Sequence, residues 1–420
     1  MGNQITTLRM EQRFKKTPAG EIPVDWEVSR LLDVATIIMG QSPPSSSYNK
    51  NGIGLPFYQG NADFGRIFPT LNNWCAAPKK QAEKGDILIS VRAPVGEVNI
   101  APQKCCIGRG LAVLRPQGID SNYLYYILIY SSTLLNNLSQ GSTFGAINSK
   151  ELSDLQIPIP PKREQKEIGL FLSNVDEAID KTDAVIEKTR ELKKGLMQQL
   201  LTKGIQRGRS KSQDFKDTEI GKIPKHWDIL PAEQVCKRVT DGTHDTPKPA
   251  NTGYFLVTSK NIKNGNIDFS DAYLINNSDF NEANKRSKVD SYDVLFSMIG
   301  TIGETTIVPD DNPHFAIKNI GLFKTNENKW LALWLHYYFC SKFAQSYINS
   351  NVKGSSQKYL PLYSLRNFPI IVPPPLEQKK IAEVLSTVDN EITHEEEHKS
   401  QLDRIKKALM GVLLTGKVRV

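Results

Sequence analysis

Two long stretches of this chain carry apolar residues at alternating steps of four and three. The first runs Ile168, Leu172, Val175 and Ile179, then Ile186 with Thr182 and Thr189 in register, and continues through Leu192, Leu196 and Leu200. The second runs Ile381, Leu385, Val388 and Ile392, then Leu402, Ile405, Leu409 and Leu413. This spacing predicts a narrow, coiled-coil-like seam on a long helix, suited to packing on a second helix. Both stretches open after a proline pair. Both end at Leu-Leu-Thr with a glycine within two residues. These are start and stop signals for a helix. A helix of ~40 residues is about 60 Å long at ~1.5 Å per residue, more than one globular core needs.

Outside these stretches the pattern shortens. Residues 54–58, 86–92, 112–114 and 155–159 are rich in Ile, Val, Leu and aromatics and bounded by Gly or Pro, which predicts strands. Residues 123–138 read as a helix, and the Pro/Ser/Asn-rich 41–52 as a loop. The second half repeats the order. Gly20-Glu21-Ile22-Pro23-Val24-Asp25-Trp26 returns as Gly221-Lys222-Ile223-Pro224-Lys225-His226-Trp227. Asp86 to Glu97 matches Asp293 to Glu304, Gly141-Ser142-Thr143 matches Gly354-Ser355-Ser356, and Glu164-Gln165 matches Glu377-Gln378. The separation between matched residues grows along the half, so the second copy carries about a dozen extra residues, expected in loops. The two long stretches keep identity at their tips and lose it between 180–192 and 393–405.

The expected fold is a mixed α/β two-domain protein with a pseudo-twofold internal repeat. It has a globular domain over 1–160, a spacer helix over 161–204 and a linker over 205–220. A second globular domain follows over 221–374, and a second spacer helix over 375–416. The twofold would set the helices antiparallel with a globular domain at each end. It would also return the C-terminus toward the N-terminus.

The 420 residues allow two or more cores. No apolar run approaches the ~20 residues of a membrane span. The N-terminus is polar and basic, unlike a signal peptide. Met1-Gly2-Asn3-Gln4-Ile5-Thr6 fits a myristoylation pattern, but no polybasic patch or second lipid site backs it. Five cysteines without C-x-x-C spacing argue against a disulfide framework or a zinc ribbon, and the expected location is cytoplasmic. The net charge of +8 favours an anionic partner such as nucleic acid. A mildly basic soluble protein explains that charge equally well.

Catalytic patterns come close and fail. His394-Glu395-Glu396-Glu397-His398 matches H-E-x-x-H, but no third ligand follows where a zinc protease needs one. It reads as the charged middle of a long helix. Gly411 to Val418 resembles a P-loop, yet it ends a helix and has Val418 where the magnesium-binding hydroxyl belongs. All six histidines lie in the second half, so two equivalent domains cannot share a catalytic histidine. The chain reads as a binder.

These elements resemble the specificity subunits of type I restriction–modification systems. The carriers are the Gly-x-Ile-Pro-x-x-Trp element opening each half, the Gly-Ser-Thr/Ser turn, and the Pro-Pro-x-x-Glu-Gln-x-x-Ile start of each long helix. Asp241-Gly242-Thr243-His244 and Lys260-Asn261-Ile262 are also similar to that family. The resemblance covers nearly the whole chain. It implies two target recognition domains, each reading one half of a bipartite, asymmetric double-stranded DNA target, on two helices that set the gap. One helical turn, ~10 bp centre to centre, is the expected spacing. It further implies two methyltransferase subunits and restriction subunits as partners. S-adenosylmethionine, ATP and Mg would be bound by those partners, with no cofactor, metal or catalytic residue in this chain and no membrane association.

Arg, Lys, Asn and Gln read base edges best, with Ser and Thr as general partners. The candidates in the first domain are Gln59 and Asn61, after an aromatic strand, with Arg92, Arg109, Ser142 and Thr143. Those in the second are Thr243, His244, Lys260, Asn261, Ser355, Ser356, Gln357 and Lys358. Each is otherwise a surface polar residue or a turn former. Trp26 and Trp227 are expected in the core. The competing reading is a coiled-coil protein-interaction scaffold without base-specific readout, and a third is a metallopeptidase resting on His394 and His398 alone.

Overall fold

The computed structural model describes residues 13–140, 145–205, 215–310 and 313–420, with side chains for all of these except 137–140. The chain divides into two compact units, Met1–Asp183 with Glu397–Val420, and Ala184–Glu396. Each unit holds one globular domain and a portion of each long helix. Among the described residues no helix is long and apolar enough to cross a membrane.

Each domain opens on the same hairpin. Phe14–Thr17 pairs with Gly20–Pro23, and Phe215–Thr218 with Gly221–Pro224. The turns need φ of +104° at Gly20 and +115° at Gly221, where a side chain is strained. Strand alternation turns Ile22 and Ile223 inward. Trp26 and Trp227 follow as fully buried residues. The stretch expected as a linker over 205–220 is thereby corrected: its last part is a hairpin strand, because Phe215–Thr218 repeats the pairing of Phe14–Thr17. Residues 206–214 lie outside the described residues.

The domains share one sheet order. In the first it is Val98–Ile100, Ile87–Ser90, Leu111–Pro116, Ala35–Met39; in the second it is Thr305–Ile307, Val294–Ser297, Ile320–Lys324, Arg238–Asp241. The strands Ile87–Ser90 and Val294–Ser297 are buried at every residue, which is why they read as unbroken apolar runs. A second sheet in each domain contains one parallel pair, Leu55–Tyr58 with Cys105–Ile107, and Tyr254–Thr258 with Phe315–Lys318.

Two expectations change. The helix expected over 123–138 is two helices, Ser121–Tyr130 and Ser132–Gln140. The Ser131-Ser132-Thr133 run makes the break, since short hydroxyl side chains compete for backbone bonds. The extra residues of the second domain are not all loop. They include the helix Asn277–Ser287, capped by the Asn276 carboxamide, which accepts from Asp279 N at 2.9 Å.

The long helices are Lys162–Lys203 and Pro375–Leu413. They run antiparallel within each unit. In the first unit Asp176 meets Lys406 and Asp183 meets Lys399. In the second Lys193 meets Asp389 and Arg190 meets Glu396.

One polar device ties each domain to its helices, and it occurs twice. Asp176, 1% exposed, accepts from the Tyr126 hydroxyl at 2.7 Å and from Lys406 Nζ at 2.8 Å, and Lys406 lies over the Tyr126 ring. Asp389 accepts from the Tyr337 hydroxyl at 2.8 Å and from Lys193 Nζ at 2.5 Å, with Lys193 over the Tyr337 ring. In the first unit Arg66 adds a donor to Asp176 at 2.6 Å. Burial, then the neighbouring carboxylate, raises both tyrosines far above their usual value, so the hydroxyls stay protonated donors.

A second device explains the Glu-Gln motif. Glu164 accepts the Trp26 indole N–H at 3.0 Å, and Glu377 the Trp227 indole N–H at 3.1 Å. Gln165 donates to Pro160 O at 2.8 Å and accepts from Asp120 N at 3.0 Å. Glu164 also takes Arg419, which reaches Asp25 as well. Glu377 instead takes Ile205 N at 2.9 Å and His226 Nε2 at 2.8 Å. The glycine of the P-loop-like segment, Gly416, packs on Pro23 and Trp26 at φ +67°, which accounts for it structurally.

Asp176→Ala leaves Lys406, Arg66 and the Tyr126 hydroxyl without their shared acceptor. Urea unfolding is expected to show a loss of roughly 3 kcal/mol, and a smaller one for Asp389→Ala, whose side chain is 32% exposed. Burial alone would raise the Glu377 carboxyl, but bonds from His226, the Ile205 N–H and Trp227 outweigh it and hold the group below 4.5. The folded value lies under the unfolded one, so the stabilisation is complete above about 4.5 and is lost as pH falls further. The unfolding midpoint should drop on acidification through that window, with a shallower drop in Glu377→Gln.

Candidate nucleic-acid interface

Three connections converge at the same end of the paired strands in each domain. In the first, Gln41 N donates to Ile107 O at 3.3 Å, Gly108 N to Tyr58 O at 2.8 Å and Gly110 N to Gln59 O at 3.1 Å. A side chain at Gly108 or Gly110 would lie 2.8 or 2.6 Å from Gln59 backbone atoms, so only glycine allows this turn so close to the neighbouring strand end. The turn holds up Arg109, whose N donates to Ser42 Oγ at 3.2 Å while its side chain is exposed. Burial, then the nearby Cys75 and Cys106, raises the Tyr48 hydroxyl, with Ser42 and Arg109 opposing.

Gln59 is exposed, its N donating to Asp63 Oδ2 at 2.7 Å. Asn61 is half-buried in the turn Asn61–Asp63. Arg92 is exposed just past Ile87–Ser90 and bridges to Ala146. Val91 N donates to Gly110 O at 2.9 Å, so Arg92 borders the same turn. Ser142 and Thr143 lie outside the described residues.

The second domain repeats the first of these bonds and closes the turn with others. Thr243 N donates to Ile317 O at 3.0 Å and Asn319 N to Thr243 O at 3.2 Å. Ser259 Oγ donates to Asn319 O at 3.3 Å. The loop 354–358 is closed by paired backbone bonds of 2.8 and 2.9 Å between Lys353 and Tyr359, and Leu360 N donates to Met298 O at 2.9 Å. Ile147 N to Val91 O is the matching bond in the first domain.

Two grooves form there. One, of about 540 Å³, is lined by Thr246, Lys260, Lys318, Asn319 and Gln357 among others. The next, of about 440 Å³, is lined by Asp241, His244, Arg286, Asn319 and Tyr359 among others. Asn319 borders both.

The sequence candidates thus meet here in different states. Lys260, Ser355, Ser356, Gln357 and Lys358 are exposed. Thr243 is half-buried, its hydroxyl accepting from Asp245 N at 3.2 Å. His244 stands between Asp241 Oδ2 at 3.2 Å and Asn319 Oδ1 at 2.9 Å. Asn261 is a correction. It is 2% exposed, its Oδ1 accepts from Thr258 N and Oγ1 at 2.8 and 2.9 Å, and its Nδ2 donates to Asp268 O at 3.0 Å. Those bonds commit its carboxamide to holding the turn that presents Lys260.

Sequence reasoning missed Lys318, Asn319, Arg286 and Ser42. The turn at 318–319 is the counterpart of Arg109, and aligning the halves at Ile107 and Ile317, whose carbonyls accept matching bonds, would have found it. Arg286 had no counterpart to align, because among the described residues the helix Asn277–Ser287 occurs in the second domain alone. It pairs with the buried Asp241. His394 and His398 lie on the exposed flank of the second long helix, where Glu396 bonds Arg190.

The family model of the type I restriction modification DNA specificity domain matches residues 23–188 and 224–404. The chain belongs to this family. Each match spans one globular domain and runs on into a long helix, so the structural repeat is a repeat of the specificity domain. The MjaVIII type I restriction enzyme specificity subunit of Methanocaldococcus jannaschii is 26% identical over 432 residues, covering 98% of this chain and 97% of that one. A provisionally named MjaX specificity subunit of the same organism is 48% identical over 193 residues, but over 45% of either chain. The crystal structure of the type I restriction–modification system S subunit from M. genitalium shares the fold, with 15% identity, a TM-score of 0.60, and coverage of 92% of this chain and 96% of that chain.

Lys260, exposed, and Lys318, half-buried beside Thr246, are placed to meet phosphate. Lys260→Ala or Lys318→Ala should weaken binding to cognate and unrelated duplexes alike. Each should lower the slope of log affinity against log salt by about one, read by titration across salt concentrations.

Proposed function

We propose that this chain is the DNA-recognition subunit of a type I restriction–modification complex. Each specificity domain reads one half of a bipartite, asymmetric target. The observation that carries this reading is the contrast between frame and loop. The two domains share strand order, hairpins and helix attachments, yet present Gln59, Arg92 and Arg109 in one and His244, Lys260, Asn319 and Gln357 in the other. Unlike side chains on like frames suit unlike half-sites.

In this reading the chain itself catalyses nothing. Methyl transfer and cleavage fall to two methyltransferase subunits and to restriction subunits, which bind S-adenosylmethionine, ATP and Mg. The long helices act as the spacer and as docking surfaces. Leu170, Phe171, Leu192, Val384 and Ile405 are large apolar side chains left exposed on them, which supports a partner that covers them.

The test is domain exchange. Residues 21–159 are replaced with the matching segment of another specificity subunit, the complex is expressed with its methyltransferase, and methylated adenines are mapped across the host chromosome. One half of a two-part motif should change while the other half and the gap persist. A continuous motif, or a change in both halves, would refute the assignment of one half-site per domain, and no motif at all would favour a protein scaffold.

A further inference from the structure

We propose that the turn leading from the parallel-paired strand of the second sheet (Cys105–Ile107, Phe315–Lys318) into the four-stranded sheet is the base-discriminating position of each domain, with Arg109 reading a guanine in one half-site and Asn319 an adenine in the other. The proposal rests on the DNA-recognition reading above and adds to it the residue and the base.

The two turns are equivalent by their bonds. Gly40 N donates to Leu111 O at 2.8 Å as Gly242 N donates to Ile320 O at 2.9 Å. Gln41 N donates to Ile107 O as Thr243 N donates to Ile317 O. Between these fixed points the first domain has Gly108-Arg109-Gly110 and the second Lys318-Asn319. The frame is the same and the side chain at its tip differs in chemistry.

A base reader needs a rigid backbone and a free side-chain edge. Arg109 has its N fixed on Ser42 and two flanking glycines pressed on Gln59, with its side chain exposed. Asn319 sits at φ +53°, a conformation that Asn tolerates better than most residues. Both its N–H and its carbonyl are bonded, to Thr243 and to Ser259. Its carboxamide oxygen is steadied by His244, which Asp241 holds from the other side. A carboxamide oxygen has a second lone pair, so one acceptor site and the amide donors remain for a base. Arginine spans guanine O6 and N7 with two donors, and asparagine spans adenine N6 and N7 with an acceptor and a donor. Asn319 borders both of the grooves described above, where a base edge entering from either would meet it.

The test uses Arg109→Gln and Asn319→Asp in the full complex, with methylated adenines mapped on the host chromosome. Arg109→Gln should move one base of the first half from guanine toward adenine. Asn319→Asp should lose adenine at one base of the second half and tolerate cytosine there, since a carboxylate accepts from its amino group. In each case preference for the original base should fall about ten- to a hundredfold, the other half staying unchanged. A parent complex without a two-part motif would sink the DNA-recognition reading itself. A two-part parent motif that both variants leave unaltered overturns this proposal alone. So does loss of all methylation in a variant that melts with the parent. If a variant melts early, Arg109→Lys and Asn319→Gly replace it, and an unrelaxed motif is again the overturning result.

Discussion

A carboxylate drawn wholly or partly out of water on a helix has to be met, and the groups that meet Asp176 and Asp389 come from different parts of the chain. One donor is a tyrosine of the globular domain and the other a lysine of the opposing helix. A single shared carboxylate, buried at Asp176 and half-buried at Asp389, thereby fixes two relationships within each unit, the register of one helix against the other and the seat of the domain upon the pair. Such a pair is weak evidence for stability, because desolvation offsets much of its attraction. Its value is in specification, since a slipped register would strand a charge. That is the best-attested use of buried polar groups in helical seams.

The rest of the frame follows from the same economy of repetition. The Glu at the start of each long helix accepts the indole N–H of the opening motif, so the most similar sequence elements of the two halves are the ones that touch. Their partners then diverge. Arg419 and Asp25 complete the first junction, and Ile205 with His226 completes the second. Where the chain must close on itself the two copies cannot be identical, because one receives the C-terminal segment and the other the chain running on from the first long helix. The loops differ for another reason, since two equal readers would permit only a symmetric target.

The long helices, the mixed α/β class and the buried tryptophans were legible because each leaves a periodic or repeated mark. What escaped has local causes. The helix Asn277–Ser287 is polar through most of its length, with Phe280 and Ala283 as its contacts to the sheet, so its apolar stripe is too thin to see. Asn261 had the right side chain for base readout but is spent on a turn, and no sequence reports which way a carboxamide faces. Asn319 was passed over because one turn residue fewer in the second domain shifts the alignment. The Asp176–Lys406 contact joins residues far apart in the chain and depends on helix register, which a heptad seam suggests without setting.

The most direct test is a structure of the assembled complex on a duplex carrying its own methylated motif. The account requires that the 42, 59 and 109 connections of one domain and the 244, 260 and 319 connections of the other enter the grooves, with Arg109 and Asn319 within hydrogen-bonding distance of base edges. A duplex lying instead along the long helices would contradict it.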